Sequence, residues 1–224
     1  MKTKTRSQHS HYLVFSPRKF VGVPDGGILL AQDGVELPKA ELTPPPAAWW
    51  QEAASASAFQ AEFDLRGGER IWFSLFRETD PGGPFQPHHK SDLSRFLLCH
   101  CVDWAGVARR RRENFALMAS ALSEFALFKD LPDGVVPVGF PVRLRNRDEV
   151  RQALFAEEIY PPVHWPTHSW VPHRFRQSHQ LSDEILTLVC DQRYNAADMR
   201  RTASIALGHA RSASRARAVP AAAI

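Results

Sequence analysis

The chain has 224 residues, 44% of them hydrophobic and 23% charged, with a formal net charge of +4; this is ordinary composition for a globular protein with one good core or two small ones. No apolar run approaches the ~20 residues of a membrane helix, and no apolar segment with a cleavage pattern follows the basic N-terminus, so a cytoplasmic protein without a membrane partner is expected. Three cysteines, an odd number, do not read as a disulfide framework, and with so small a net charge and scattered arginines the pI of 9.2 does not make nucleic acid an expected partner.

The run His11-Tyr12-Leu13-Val14-Phe15 is β-branched and aromatic and predicts a short buried strand, ended by the turn signal Ser16-Pro17. A second strand, Ile28 to Ala31, follows Gly26-Gly27, a pair that lets the backbone take positive φ or approach another group closely. Thr43-Pro44-Pro45-Pro46 ends any regular element. Beyond it the sequence predicts one helix from Trp49 to about Phe63 and another containing Ile71 to Phe76, with Gly67-Gly68 between them. Asp80 to Pro84 is a loop.

From Ser91 to Phe125 there is no proline, and apolar residues recur at steps of mostly three or four from Leu93 through Phe125, predicting one long helix of about 50 Å. A helix that long joins two domains more readily than it sits inside one. Arg109 to Arg112, wound at 3.6 residues per turn, fan around most of its surface, so they read as side chains that snorkel and pair with acids. Next come a strand or interrupted strand pair over Val135–Leu144, a helix over Arg147–Glu157 opened by Asn146 or Asp148, and a strand beginning at Ile159-Tyr160. A buried strand at Leu186–Cys190 and a helix from Ala196 to about His209, capped by Asn195, complete the pattern. Residues 210–224 have the composition of a loose tail.

Lys19 is followed six residues later by Asp25-Gly26-Gly27. A lysine makes an imine with an aldehyde only as the neutral amine, which burial or a neighbouring cation such as Arg18 favours. This segment resembles the Schiff-base segment of the DegT/DnrJ/StrS-type sugar aminotransferases, which use pyridoxal 5'-phosphate (PLP) on an aspartate-aminotransferase-like fold of type I. Four further stretches resemble the same family: Arg111-Arg112-Glu113-Asn114-Phe115 with Leu117, Leu122 and Phe128; Pro137 to Leu144; Ile159 to Trp165; and Leu188 to Met199.

The resemblance implies the C-terminal part of such an α/β to α+β fold. Residues 1–90 would be a remnant of the large PLP-binding domain with part of its sheet, 91–126 a long linking helix, 127–209 a small α+β domain and 210–224 a flexible tail. It implies Lys19 as the catalytic amine, with Ser16, Arg18, Gly26 and Gly27 beside the cofactor, and His164-Trp165 in a proline-bracketed turn near the substrate; that turn reads equally well as plain structure. It also implies a homodimer that moves an amino group from an amino acid donor to a keto sugar, nucleotide-linked in this family. In the family, the residues that hold the PLP ring and phosphate precede the lysine, whereas residues 1–10 supply no carboxylate. The chain therefore reads as N-terminally truncated, and an incompetent remnant or interaction module is the alternative.

Other candidates read as structure. Cys99 and Cys101 flank His100 but point to different sides of a helix. His168, His173 and His179 lack the spacing and companions of a zinc site and read as a loop, so no metal is expected. His88-His89-Lys90 lies where the family reaches toward a neighbouring subunit's cofactor, but without the family's asparagine and arginine.

Overall fold

The computed structural model describes residues 11–216 and shows a mixed α/β protein with two small sheets. The chain divides into two compact units, one up to Asp103 and one from Trp104. In the first, β1 (Tyr12–Phe15) and β2 (Ile28–Ala31) pair antiparallel with Phe15 opposite Ile28. A helical hairpin follows, α1 (Ala47–Arg66) and α2 (Ile71–Thr79). Gly67 at φ +70 ends α1, its N–H returning to the Phe63 carbonyl, a backbone angle that favours glycine at a helix terminus. Trp49 Nε1 donates to the Thr79 carbonyl at 3.2 Å and ties the start of one helix to the end of the other.

The helix predicted over 91–125 is two helices. Ser91 caps α3 (Asp92–Phe96) through its hydroxyl and the Ser94 N–H, and a π-turn over Leu97–Cys101 ends at Val102, which is extended at φ −95 and ψ 118. α4 (Trp104–Ala121) begins afresh behind Asp103, a residue type favoured at helix starts. The apolar spacing runs through both helices, which is why periodicity alone joins them.

In the second unit, β3 (Phe140–Arg143) and β4 (Ile185–Leu188) pair antiparallel with Phe140 opposite Leu188. Its helices are α4, α5 (Arg147–Ala156), α6 (Arg176–Glu184) and α7 (Ala196–Ala216). α4, α5 and α7 pack Phe115, Met118, Val150, Leu154, Met199 and Ala203, with Leu122 just past α4, against Phe140, Val142, Leu186 and Leu188 of the sheet. Every residue of β4 is buried. Asn195 caps α7: its side-chain oxygen accepts from the N–H groups of Ala197 and Asp198.

Three sequence expectations change here. The strand expected at Ile159-Tyr160 does not form, because Pro161, Pro162 and Pro166 remove the N–H donors a ladder needs; what remains is one bond from Thr187 N–H to the Pro162 carbonyl at 3.0 Å. The segment around His179, expected as a loop, is α6. α7 continues through residues 210–216, expected as loose tail, while 217–224 and residues 1–10 lie outside the described residues. Among the described residues, no helix is long and apolar enough to cross a membrane.

The units differ in how much they bury. The second holds the core just named, whereas the buried hydrophobic residues of the first, among those described, are Val23, Ala53, Ala56 and Leu98. Val14 of β1 is 78% exposed, and Phe15, Ile28, Leu29 and Leu30 of the same hairpin are open as well.

The cysteines follow this division. Cys99 and Cys101 are exposed, whereas Cys190 is buried, and desolvation pushes its thiol up to about 12. The thiolate is the nucleophile, so a disulfide reagent at pH 8 is expected to titrate Cys99 and Cys101 in the native protein and Cys190 only after denaturation; rapid native labelling of Cys190 would contradict its burial. An unfolded thiol ionises near pH 8.5. The contribution of Cys190 to stability is therefore complete below that pH and falls away as pH rises toward about 12.

Candidate functional site

Lys19 ends a 3-10 turn, Pro17–Lys19, that follows directly on β1. Proline opens the turn with a fixed φ and no N–H to satisfy, and Lys19 N–H donates to the Ser16 carbonyl at 3.1 Å. The turn presents Lys19 at the rim of a cleft of about 140 Å³, whose walls include Val23, Trp49, Ala53, Phe76 and Asp80. Lys19 itself is exposed. Arg18 forms an ion pair with Asp80 at 2.8 Å, so the cation nearest the lysine in sequence has a carboxylate of its own.

Gly26 and Gly27 line an adjoining cleft of about 260 Å³ with Arg18, His88, His89 and Lys90, to which Lys19 does not contribute. Ser16 is exposed and lines neither cleft. Gly26 has φ +104, and a Cβ there would stand 3.0 Å from the Lys90 Cβ. The close approach that the glycine allows is to Lys90.

Asp25, between Lys19 and the glycines, is the polar centre of this unit. It is 5% exposed, and its carboxylate accepts from the Ser91 N–H and the Ser91 hydroxyl, each at 2.7 Å, and from the Ser94 hydroxyl. These bonds fasten the lysine loop to the first turn of α3. The sequence reading missed this role. Its signal was present in Ser91 and Ser94, spaced as a helix cap, but nothing local links them to a residue more than sixty positions earlier.

His164 and Trp165 lie in the second unit. His164 Nδ1 is 3.1 Å from the Thr187 hydroxyl, and Trp165 is 73% exposed. The Arg-Arg-x-Asn stretch of α4 is a structural centre. Arg111 donates through Nε to Gln192 Oε1 at 2.7 Å, and through Nη1 to the carbonyls of Pro137 and Val138 at 3.0 and 3.2 Å. Burial lowers the pKa of Arg111, while the charge of Asp191 opposes the shift. Asn114 Nδ2 donates to the carbonyls of Asp191 and Tyr194 at 2.9 and 3.1 Å. Of the four arginines, Arg110 reaches an acid, Glu113, at 3.9 Å, whereas Arg111 and Arg112 bind backbone carbonyls.

A PLP site needs a carboxylate at the ring nitrogen, a stacking face and donors for the phosphate beside the lysine. The lysine cleft holds one carboxylate, that of Asp80, already paired with Arg18. Its volume of about 140 Å³ is below the roughly 300–1,000 Å³ of ligand pockets. The described residues therefore do not make a PLP site by themselves. Among them, no group of three or more His, Cys, Asp or Glu is placed to hold a metal ion.

No family model matches the sequence, and no curated protein matches it. Among solved structures, a DegT DnrJ EryC1 StrS aminotransferase from Brucella abortus is similar over 46% of this chain and 31% of its own, at 18% identity and a TM-score of 0.40. This chain thus spans about a third of that protein's length, and a likeness so slight does not define a shared fold.

Proposed function

We propose that this chain is related to the DegT/DnrJ/StrS-type aminotransferases, with Lys19 in the position of their cofactor lysine, and that its described residues alone neither hold PLP nor transfer amino groups. In this reading the first unit docks on polypeptide that completes the cofactor site. The family reading rests on the sequence: Lys19 with Asp25-Gly26-Gly27, and the stretches around Asn114 and from Leu188 to Met199.

The observation that carries the second half is the β1–β2 hairpin. Its apolar side chains are open on both faces beside an exposed lysine and a cleft too small for the cofactor. Two-stranded hairpins are marginal in water, and contiguous exposed apolar surface marks contact with another surface. Amino transfer from an amino acid to a keto sugar, nucleotide-linked in the family, would belong to the assembled protein; a homodimer and a cytoplasmic location are part of the same proposal.

The test is a titration of the purified chain with PLP, wild type beside Lys19→Ala. Weak, non-saturating absorbance that is the same in both proteins is expected. A saturable, stoichiometric band lost in Lys19→Ala would overturn the reading.

A further inference from the structure

We propose that His168, His179 and Asp183 form a proton-operated clasp that holds the loop bearing Trp165 and Trp170 against α6; the proposal is independent of the aminotransferase reading. The three groups form one chain of contacts. Asp183 Oδ1 is 2.7 Å from His168 Nε2, His168 Nδ1 is 3.2 Å from His179 Nδ1, and His179 Nε2 is 3.3 Å from the Pro172 carbonyl oxygen.

Each of the three contacts needs one hydrogen between its heavy atoms. The carboxylate at one end and the carbonyl at the other only accept, so all three hydrogens must sit on imidazole nitrogens. Two neutral imidazoles carry two. The chain closes completely only when the histidine pair holds one extra proton, so that one ring is an imidazolium beside the Asp183 carboxylate. When that proton leaves on the alkaline side, two lone pairs face each other at one of the contacts, and that contact is lost.

The neighbouring charges are few. On α6, Arg176 stands one turn before His179, and Glu184 is engaged by Arg143 at 2.5 Å and by Gln180 at 3.1 Å. In the loop, the His173 ring stacks on His179 with centroids 5.6 Å apart, and Arg174 lies over Phe175. From α5, Arg147 donates to the Ser182 carbonyl at 3.3 Å and forms an ion pair with Asp148.

The loop is also fastened to α6 at Ser182, whose hydroxyl donates to the Trp165 carbonyl at 2.8 Å and accepts from Thr167 N–H at 3.0 Å, and by the His173 ring on His179. Trp170 is 84% exposed, and the contacts of the far side of the loop with α6 converge on His179. The clasp is closed while the histidine pair holds one extra proton and loosens on the alkaline side, when that proton leaves.

Asp183→Asn distinguishes proton operation from simple packing. An asparagine amide can donate to His168 Nε2; His168 Nδ1–H can then donate to His179 Nδ1, and His179 Nε2–H to the Pro172 carbonyl. The variant closes all three contacts with two neutral rings. Two-bond ¹H–¹⁵N spectra of the full chain between pH 5.5 and 8.5 read which ring nitrogens carry protons, and ¹⁵N relaxation of residues 164–175 reads the order of the loop. In the wild type, the open population is expected to rise about fivefold toward pH 8.5, the effect of one lost hydrogen bond; in Asp183→Asn the loop is expected to stay closed throughout. A flat wild-type profile overturns the proposal, and so does an Asp183→Asn loop that opens with pH or is open at every pH.

Discussion

Arg111→Met is expected to cost the second unit about 3–5 kcal/mol, the sum over the acceptors it leaves unpaired. Arg111 is 3% exposed and its guanidinium serves three acceptors, Gln192 and the carbonyls of Pro137 and Val138. Methionine fills much the same stem volume but leaves those acceptors without donors, each a loss of about 1–3 kcal/mol. The segment leading into β3 and the turn after Cys190 then lose the bridge that joins both to α4. With a urea m-value of roughly 1–3 kcal/mol/M, the midpoint should fall by 1 M or more on that scale. Arg111→Lys should recover little, since a single ammonium cannot reproduce the planar fork. Exposed Arg109→Met is the control, expected within about 0.5 kcal/mol of wild type. Equal midpoints for Arg111→Met and Arg109→Met would contradict the role given to Arg111.

Asp25→Ala is the second large effect, and it falls on the first unit. The substitution leaves the Ser91 N–H and the hydroxyls of Ser91 and Ser94 without their shared acceptor, a destabilisation of about 2–4 kcal/mol given about 1–3 kcal/mol for each unsatisfied buried group. The loop from Ser16 to Gly27 would then come away from α3. Trypsin cuts after Arg18 and Lys19, so cleavage there is expected to quicken at least tenfold, with Asp25→Asn intermediate because its single amide oxygen can still accept. An unchanged cleavage rate would show that the buried carboxylate does not fasten the lysine loop.

Much of the architecture was legible from local pattern. Strands β1 and β2 follow from two β-rich runs, although β1, expected to be buried, is exposed because nothing among the described residues covers it; α1 and α2 follow from helix formers split by Gly67-Gly68, and α7 from the Asn195 cap. Local pattern failed where two elements share one periodicity. The apolar spacing from Leu93 to Leu122 continues across the break, and only Val102 in extended backbone, with start signals at Ser91 and Asp103, separates α3 from α4. α6 was hidden for the opposite reason: its buried residue is Ser182, so the helix carries no apolar stripe to find.

The candidate site divides in the same way. Lys19 at the end of a strand was legible, because strand and turn signals are local. Which groups surround it was not, because Asp80 and Trp49 reach its cleft from the α1–α2 hairpin, and Asp25 finds its partners on α3. In α4, the fan of arginines was legible as geometry, but the carbonyls that bind Arg111 and Arg112 come from a segment more than twenty residues away.

Lys19 is exposed, and the described residues around it make no cofactor cradle. Borohydride trapping with limiting PLP, followed by peptide mapping, tests it most directly. The predicted result is label spread over the accessible lysines, with no preference for Lys19 and no loss of total label in Lys19→Ala. Stoichiometric label on the peptide containing Lys19, formed at low PLP and abolished by Lys19→Ala, would contradict it.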